Sequence, residues 1–591
     1  MSPSRSAAKA ASARLGGCGI FPGKAPNTQK YHGAAIDPPA RRANIQQRKE
    51  TIMDMSGLDK CAANYAPLTP LSFLRRTARV YPHRAATIYN GKRRTWGEIY
   101  ERCGRFAAAL RKNGIGRGDV VSFVAVNTPE IFEAHFAAPL AGAVLNAVNV
   151  RLDAASLRYI FSHAESKIIF TDAEFGAKVK EAVSGMPNPP MLVDILDASF
   201  SGGDSVGVCD YEAFLNQSDG ETLYMHPEDE WEPISLNYTS GTTGNPKGVV
   251  CHHRGAYLMA AGSAVGWEMK THGALLYTVP MFHCNGWCYP WTQAMLAGSV
   301  VCLRKIDGDD ILRLIAEHKV DYMGGAPIVL NAVIAAADGK KLPHTVKFIT
   351  AAAPPPPSVL QAAESIGFDL MHVYGLTETY GHTTMCAWKG DLWDSLPPDE
   401  RAEKMIRQGV GYPILEDWGV RRTGENGEDE AVAADGKTSG ELVMRGNVVM
   451  SGYLKNPEAT RAAFAGGWFR TGDLAVLHED GYLQITDRLK DIIISGGENI
   501  SSIAVENAVS KHPAVAAASV VAKPDDKWGE TPCAFVELRP GSSADAKEME
   551  DFCRQSMPGF MRPRHFVFGE LPKTATGKIK KYELREKAKL L

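Results

Sequence analysis

At 591 residues the chain exceeds the size at which one hydrophobic core keeps growing, so at least two domains are expected. Its 45% hydrophobic and 22% charged residues are ordinary for a soluble globular protein. With 65 Lys and Arg against 67 Asp and Glu, the net charge of -2 argues against the broad basic face that nucleic-acid binding needs.

The N-terminus differs from everything after it. Up to Arg48, Arg5, Lys9, Arg14, Lys24, Lys30, Arg41, Arg42 and Arg48 itself face a single acid, Asp37, among many Ala, Ser, Gly and Pro residues. That bias predicts a transit peptide over 1–55, with the mitochondrion as the address and chloroplast, peroxisome or cytosol as alternatives. A basic disordered tail without an address, or translation from Met53 or Met55, would leave the same pattern. The C-terminal Lys589-Leu590-Leu591 is not a Ser-Lys-Leu tail.

From about Pro67 helical patterns such as Ile99 to Leu110 alternate with β-rich runs, Val120 to Val124 and Lys167 to Phe170, which predicts layered α/β structure with largely parallel sheet. His135 to Val150 is the most apolar run, yet it contains Pro139, Asn146 and Asn149 and is shorter than the roughly 20 residues of a spanning helix. It reads as a buried helix running into a strand, and no membrane span is expected. Gly185 to Pro190 and Gly202 to Gly207 read as surface loops, as does the polar stretch from Thr423 to Ser439. Short strands at Glu441 to Met444 and Tyr482 to Thr486 suggest a small β-unit, and the final hundred residues an α+β module. The 11 cysteines are odd in number and lack a C-x-x-C pair, which suits a reducing compartment rather than a disulfide framework. Cys284 and Cys288 lie near His283, but no second ligand pair with zinc-like spacing follows, and buried thiols account for them.

Chemistry concentrates in Tyr238-Thr239-Ser240-Gly241-Thr242-Thr243-Gly244-Asn245-Pro246-Lys247-Gly248-Val249, after a candidate strand at Pro233 to Asn237. Glycines let backbone N–H groups converge on a phosphate, hydroxyls add donors and a lysine adds charge. Gly244 and Lys247 are too far apart for a Walker A loop, and Gly248 stands where that loop needs Ser or Thr. Downstream come Pro280-Met281-Phe282-His283, Tyr374-Gly375-Leu376-Thr377-Glu378, Trp468-Phe469-Arg470-Thr471-Gly472-Asp473 and Asp487-Arg488-Leu489-Lys490-Asp491. Gly496-Gly497-Glu498-Asn499-Ile500 and Pro572-Lys573-Thr574-Ala575-Thr576-Gly577-Lys578 complete the series.

In this order the motifs resemble those of the adenylate-forming superfamily, which includes acyl-CoA synthetases, peptide-synthetase adenylation domains and luciferases. The resemblance covers everything but the N-terminal extension. It implies a large domain over 56–489 of layered α/β subdomains plus a small β-barrel unit, and a mobile α+β domain over 490–591. It also implies ATP, Mg2+ and coenzyme A as reaction partners of a small carboxylic acid, in a monomer or homodimer. By the same resemblance Glu378 is the magnesium ligand and Thr377 a donor to the α-phosphate. Tyr374 and Gly375 lie at the adenine with the Ala352-Ala353-Pro354 backbone along one edge. Asp473 accepts the ribose hydroxyls and Arg488 adds a donor fork to ribose or phosphate. Lys578 reaches the substrate carboxylate and phosphate in the first half-reaction. Lys490 is the hinge, and Gly496-Gly497 line the pantetheine path after rotation. His283 is either the gate between acyl pocket and thiol tunnel or a satisfied buried histidine. Many relatives carry glycine where this chain has Ala351.

His283-Cys284-Asn285-Gly286-Trp287 and Tyr374 to His382, with Cys386-Ala387-Trp388, are similar to the plant and algal acyl-activating branch with butyrate- and benzoate-type CoA ligases. Bacterial medium-chain ligases are close to it. Trp287 beside the acyl pocket would shorten it, so short- or medium-chain aliphatic or small aryl acids are expected. A free-standing adenylation enzyme loading a carrier protein is the alternative. The chain ends thirteen residues after Lys578, with no carrier domain. A luciferase-like oxidase and a silent scaffold are further readings, the last opposed by Glu378, Asp473, Arg488 and Lys578 occurring together.

Overall fold

A computed structural model describes residues 56–239, 246–351, 357–424, 428–496, 498–573 and 579–591. The basic extension, and with it the transit-peptide expectation, lies outside the described residues. Residues 56–65 belong to a short unit of their own, a turn in which Cys61 N–H donates to Asn64 Oδ1 at 2.8 Å. The second unit runs from Ala66 to Leu591.

The α/β alternation builds two large sheets. In the first, Pro233–Thr239, Val144–Ala147, Val120–Val124, Ile168–Asp172 and Met191–Ile195 lie parallel, extended at one edge by Cys209–Asp210 and at the other by antiparallel Lys247–His252 and Gly452–Tyr453. Ile168–Asp172 is buried throughout, as a parallel strand covered on both faces must be. The second sheet centres on parallel Ser299–Cys302, Ala274–Tyr277, Tyr322–Gly325, Val346–Thr350 and Phe368–Leu376, and Gly381–Met385 turns back antiparallel beside the last.

The helix expected over Ile99 to Leu110 spans Trp96–Lys112. It begins earlier because Thr95 Oγ1 accepts from Glu98 N–H while Glu98 Oε2 accepts from Thr95 N–H at 2.6 Å, a reciprocal cap. Its inner face buries Trp96, Ile99, Cys103, Phe106 and Leu110 at helical spacing, with Phe106 against the stacked pair Phe123 and Phe170. The run from His135 to Val150 is the second half of helix Pro129–Leu140 followed by strand Val144–Ala147, as its composition suggests. Glu133 in that helix is fully buried. Arg94 Nη1 and Arg102 Nε each lie 2.8 Å from Glu133 Oε1, and the Tyr211 hydroxyl donates to Oε2 at 2.8 Å. Such pairing is the condition for burying a carboxylate.

The small β-unit is an antiparallel sheet of Asp429–Ala431, Asp417–Thr423, Gly440–Arg445, Phe469–Leu477 and Leu483–Arg488, in that spatial order. The stretch read as a polar loop thus contains an edge strand. Arg421 Nε lies 2.7 Å from Asp429 Oδ2 and Arg470 Nη2 3.1 Å from Asp429 Oδ1. Charge on an edge strand leaves no hydrophobic alternation to read.

The last hundred residues carry their own sheet, a hairpin of Val515–Asp525 with Gly529–Leu538 flanked by Ile493–Ser495, Glu498–Ile500 and His565–Phe568. Helices Ser502–Val509 and Ala546–Ser556 cover it around Ile493, Val505, Val509, Val520, Val536, Met549 and Cys553, a core separate from those of the large sheets.

Candidate active site

The glycine-rich loop joins two antiparallel strands, and its flanking residues Thr239 and Lys247 are cross-strand partners. Residues 240–245, hence Ser240, Gly241, Thr242, Thr243 and Gly244, lie outside the described residues, as do Ala352, Ala353, Pro354, Gly497 and Lys578. The exposed Lys247 places its ammonium 4.7 Å from the ring centroid of Tyr453, on the neighbouring edge strand. Tyr453 in turn donates its hydroxyl to Glu378 Oε1 at 2.9 Å.

Glu378 is held at the mouth of the second sheet by a tight reversal. Strand Phe368–Leu376 carries Tyr374 and Gly375, and a Cβ on Gly375 would collide with the Gly381 carbonyl, so only glycine lets the returning strand approach. The short 3-10 turn Thr377–Thr379 follows, tied by Thr379 Oγ1 to the Leu376 and Gly381 carbonyls. Burial raises the Glu378 carboxyl above its ordinary value, opposed by the Tyr453 hydroxyl and by the charges of Lys247 and Arg488. Glu378 therefore sits near two cations while its ionised form is under-solvated. Beside it Thr377 Oγ1 lies 3.2 Å from Cys284 Sγ, and burial pushes that thiol up to about 12.

Asp473 is buried on strand Phe469–Leu477, directly opposite Arg488 in register. Arg488 Nε stands 3.2 Å from its Oδ1, and the Tyr374 hydroxyl donates to its Oδ2 at 2.6 Å. Gly472, at φ +72°, turns the chain so that Asp473 N–H reaches Thr471 Oγ1 at 3.1 Å, while Glu441 accepts from both Gly472 N–H and Arg470. Burial first, then the Asp473 charge, hold the Tyr374 phenol far above its usual range, so it stays a donor. A carboxylate has about four acceptor sites, which leaves room on Asp473 for a ligand diol.

His283 is half-buried and opens a departure from normal backbone geometry. Cys284, Asn285, Gly286, Trp287 and Cys288 all have positive φ, between 42° and 63°. Left-handed backbone costs L-residues roughly 1–2 kcal/mol each, so the four non-glycine members store about 4–8 kcal/mol. The turn aims Trp287, only 8% exposed, against Gly324, where an added Cβ would lie 3.3 Å from the indole, and edge-on to His382 at 5.4 Å between centroids. His382 is buried, bonded to the Tyr289 hydroxyl at 3.2 Å, and kept neutral by desolvation, its pKa lowered to about 3.

Lys490 is exposed in the 3-10 turn Leu489–Asp491 between the small β-unit and the C-terminal sheet. Gly496, at φ +60°, packs over the Trp528 indole.

The arrangement brings together Thr239, Lys247, Thr377, Glu378, Tyr374, Asp473 and Arg488, cations and hydroxyls around one buried and one half-buried carboxylate. Sequence reasoning missed Tyr453 and Glu441, and read Cys284 only as a buried thiol, which it is, without its contact to Thr377. Tyr453 could have been found as the lone aromatic of Ser451-Gly452-Tyr453; the roles of Cys284 and Glu441 depend on contacts far apart in sequence.

A family described as AMP-binding enzyme matches residues 74–454, and the AMP-binding enzyme C-terminal domain matches 504–578. The chain is 48% identical to an acetate/butyrate–CoA ligase of Arabidopsis thaliana, named peroxisomal, over 91% of this chain and 97% of the relative. An acetate–CoA ligase of Humulus lupulus is also 48% identical with the same coverage, and a 2-methylpropanoate–CoA ligase of that plant is 46% identical over 90% and 98%. Among solved structures, o-succinylbenzoate coenzyme A synthetase of Bacillus subtilis with AMP aligns at TM-score 0.73 and 25% identity, over 87% of this chain and 98% of that one. The same enzyme with ATP and magnesium aligns equally well.

Proposed function

The chain belongs to the AMP-binding enzyme family, and from that membership we propose how its own residues activate a small acid. It is an AMP-forming acid–thiol ligase that uses ATP, Mg2+ and coenzyme A. A carboxylate oxygen of the acid attacks the α-phosphorus of ATP, the bond to the bridging oxygen breaks, and pyrophosphate leaves. The thiol of coenzyme A, losing its proton, then attacks the carbonyl carbon, and AMP departs with the bonding pair.

The meeting of Lys247, Arg488, Thr377 and Glu378 around one cleft supports the assignment of roles. Two anions must approach each other in the first step, and cations with oriented donors lower that repulsion. Lys247 and Arg488 supply positive charge, Thr377 a hydroxyl held toward Cys284, and Asp473 with Tyr374 a dock for ribose and adenine. Ser240, Gly241, Thr242, Thr243 and Gly244 would wrap the phosphates, and Ala352, Ala353 and Pro354 border the base. Among the described residues no three His, Cys, Asp or Glu side chains converge as a metal cage. Mg2+ keeps several waters and takes one or two carboxylates, here Glu378, besides phosphate oxygens. Bound there it would neutralise phosphate charge.

We assign 56–489 to the large domain and 490–591 to a small one turning at Lys490. Lys578 would serve adenylation, then Gly496 and Gly497 with His283 the thiol path. The separate core of the C-terminal sheet supports this division.

The acid is short or branched and short: acetate, butyrate or 2-methylpropanoate, as in the relatives' names. Trp287 wedged between Gly324 and His382 supports a shallow pocket. The mitochondrial address expected from composition is not supported. Four relatives are named peroxisomal, which favours the peroxisome among the alternatives, with the basic extension still compatible with a targeting segment. Fluorescent fusions at either terminus would test this, and mitochondrial signal would reverse it.

The deciding experiment incubates the protein with ATP, Mg2+ and a panel of acids, with and without coenzyme A, following AMP, pyrophosphate and thioester together. Thioester from acetate to butyrate, in excess over octanoate, benzoate and palmitate, is expected. Pyrophosphate exchange that ignores coenzyme A would replace the acceptor with a carrier protein.

A further inference from the structure

The junction at Lys490 is bridged by a chain of buried polar contacts that nucleotide, acid and thiol do not need. Asp487, fully buried at the end of strand Leu483–Arg488, accepts from the Ser502 N–H and from Ser502 Oγ at 2.9 Å. Ser502 is the first residue of helix Ser502–Val509, on the far side of the junction, and the preceding Ser501 Oγ donates to the Thr486 carbonyl at 2.8 Å. The Lys581 ammonium donates to Ser502 Oγ at 2.6 Å and lies 2.8 Å from Glu506. One turn on, Arg585 pairs with Asp491. Lys581 and Arg585 share helix Lys581–Ala588, which begins three residues after Lys578. The helix behind the Thr-Gly-Lys turn is thus tied to Ser502, the residue whose N–H and hydroxyl reach across the pivot to Asp487.

The same conformation exposes Gly496, Glu498 and Asn499 to solvent, while Lys580 and Tyr582 stand within electrostatic reach of Asp153 on the large part. The segment that follows Lys578 thus lies toward Asp153, the N-cap of helix Ala154–Ala164 in the large part, while Gly496, Glu498 and Asn499 stay in solvent. That is the arrangement adenylation needs.

We propose that Asp487 and Ser502, with Ser501 on the Thr486 carbonyl and Lys581 holding the Ser502 hydroxyl from behind, form a latch that holds the small domain in the adenylation arrangement and must open before thioester formation. The proposal rests on the two-step reading above. Rotation about Lys490 carries Ser501 and Ser502 away from Thr486 and Asp487, stripping a buried carboxylate of its donors. These are positioning residues, and they set the partition between the two arrangements.

The test measures two rates separately: acid-dependent exchange of pyrophosphate into ATP, and thioester formation from supplied butyryl-adenylate and coenzyme A. Asp487→Asn, Ser502→Ala and Lys581→Gln should each slow exchange about tenfold and leave thioester formation within about twofold of wild type, with Lys581→Arg restoring exchange. Ser502→Ala removes only a hydroxyl and keeps the test open if Asp487→Asn does not fold. Equal loss of both rates, loss confined to the second, or no change in either would overturn the latch. Wild-type protein that exchanges no pyrophosphate with any acid would overturn the ligase reading, and the latch with it.

Discussion

Tyr453 touches Glu378 with its hydroxyl at 2.9 Å and Lys247 with its ring face at 4.7 Å, so one side chain spans the candidate metal carboxylate and the end of the phosphate loop. Its hydroxyl holds a carboxylate that burial would otherwise leave poorly solvated. Tyr453→Phe should therefore raise the Mg2+ and ATP concentrations needed for half-maximal pyrophosphate exchange by about tenfold, the weight of one hydrogen bond to a charged group. Loss of the variant's exchange at saturating Mg2+ and ATP would instead assign Tyr453 to the chemical step.

Glu378 supplies a pH dependence with a definite sign. Its folded-state pKa is raised by burial, so ionisation costs the apo protein stability as pH rises from the ordinary carboxylate range through the raised value. Glu378→Gln removes that cost. Without nucleotide or metal, the variant should melt at a higher temperature than wild type at neutral pH, with the difference shrinking as pH falls and the wild-type carboxyl protonates. Its pyrophosphate exchange should be lost. A variant less stable at neutral pH would remove the burial argument.

Glu133 makes a prediction about the fold alone. Cutting this carboxylate out from between Arg94 and Arg102 leaves two half-buried guanidinium groups without their shared partner. Glu133→Ala should lower unfolding stability by about 3–5 kcal/mol, read from denaturant midpoints at constant m. A loss under 1 kcal/mol would mean that Glu130 and Glu212 take over the pairing.

Trp287 predicts a change of acid. Removing the indole opens room for added methylenes, each worth about 0.8 kcal/mol when buried. Trp287→Ala should raise kcat/KM for octanoate relative to butyrate by roughly tenfold to a hundredfold. An unchanged ratio would place the indole outside the acyl pocket.

Lys578 tests the order of steps. Lys578→Ala should cost adenylation about a hundredfold to a thousandfold, as loss of an electrostatic group at the transition state does, while supplied acyl-adenylate is still converted to thioester. Equal loss of both would contradict the rotation about Lys490.

The α/β layering and several elements could be read from the sequence because their signals are local: alternation at Val120–Val124, helical spacing in Trp96–Lys112, and Pro with Asn inside the apolar run to Val150. The candidate nucleotide-site residues were named through ordered motifs, and the structure brings Glu378, Asp473, Arg488 and Lys247 into one region although 241 residues separate Lys247 from Arg488 in sequence. What escaped was set by tertiary contact. Tyr453 matters because its two-residue strand pairs beside Lys247–His252. The edge strand Asp429–Ala431 is held by arginines from two other strands of its sheet, which no periodicity announces. Asp487 resembled the other acids of its motif until Ser502 was seen closing on it.

The left-handed backbone from Cys284 to Cys288 links the choice of acid to foldability. Each of its side chains stands on a main chain already pressed into an unfavoured region, so the surrounding core must hold it there. A β-branched or bulky newcomer at Cys284 or Asn285 would jeopardise the whole turn rather than reshape the cavity. Variation in acid preference therefore has its cheaper route across from the indole, at His382 on regular strand backbone, whereas a Cβ at Gly324 would press on the Ile349 carbonyl and the indole itself. Redesign of this enzyme for other acids should begin with the wall that faces the indole, leaving the turn that carries it intact.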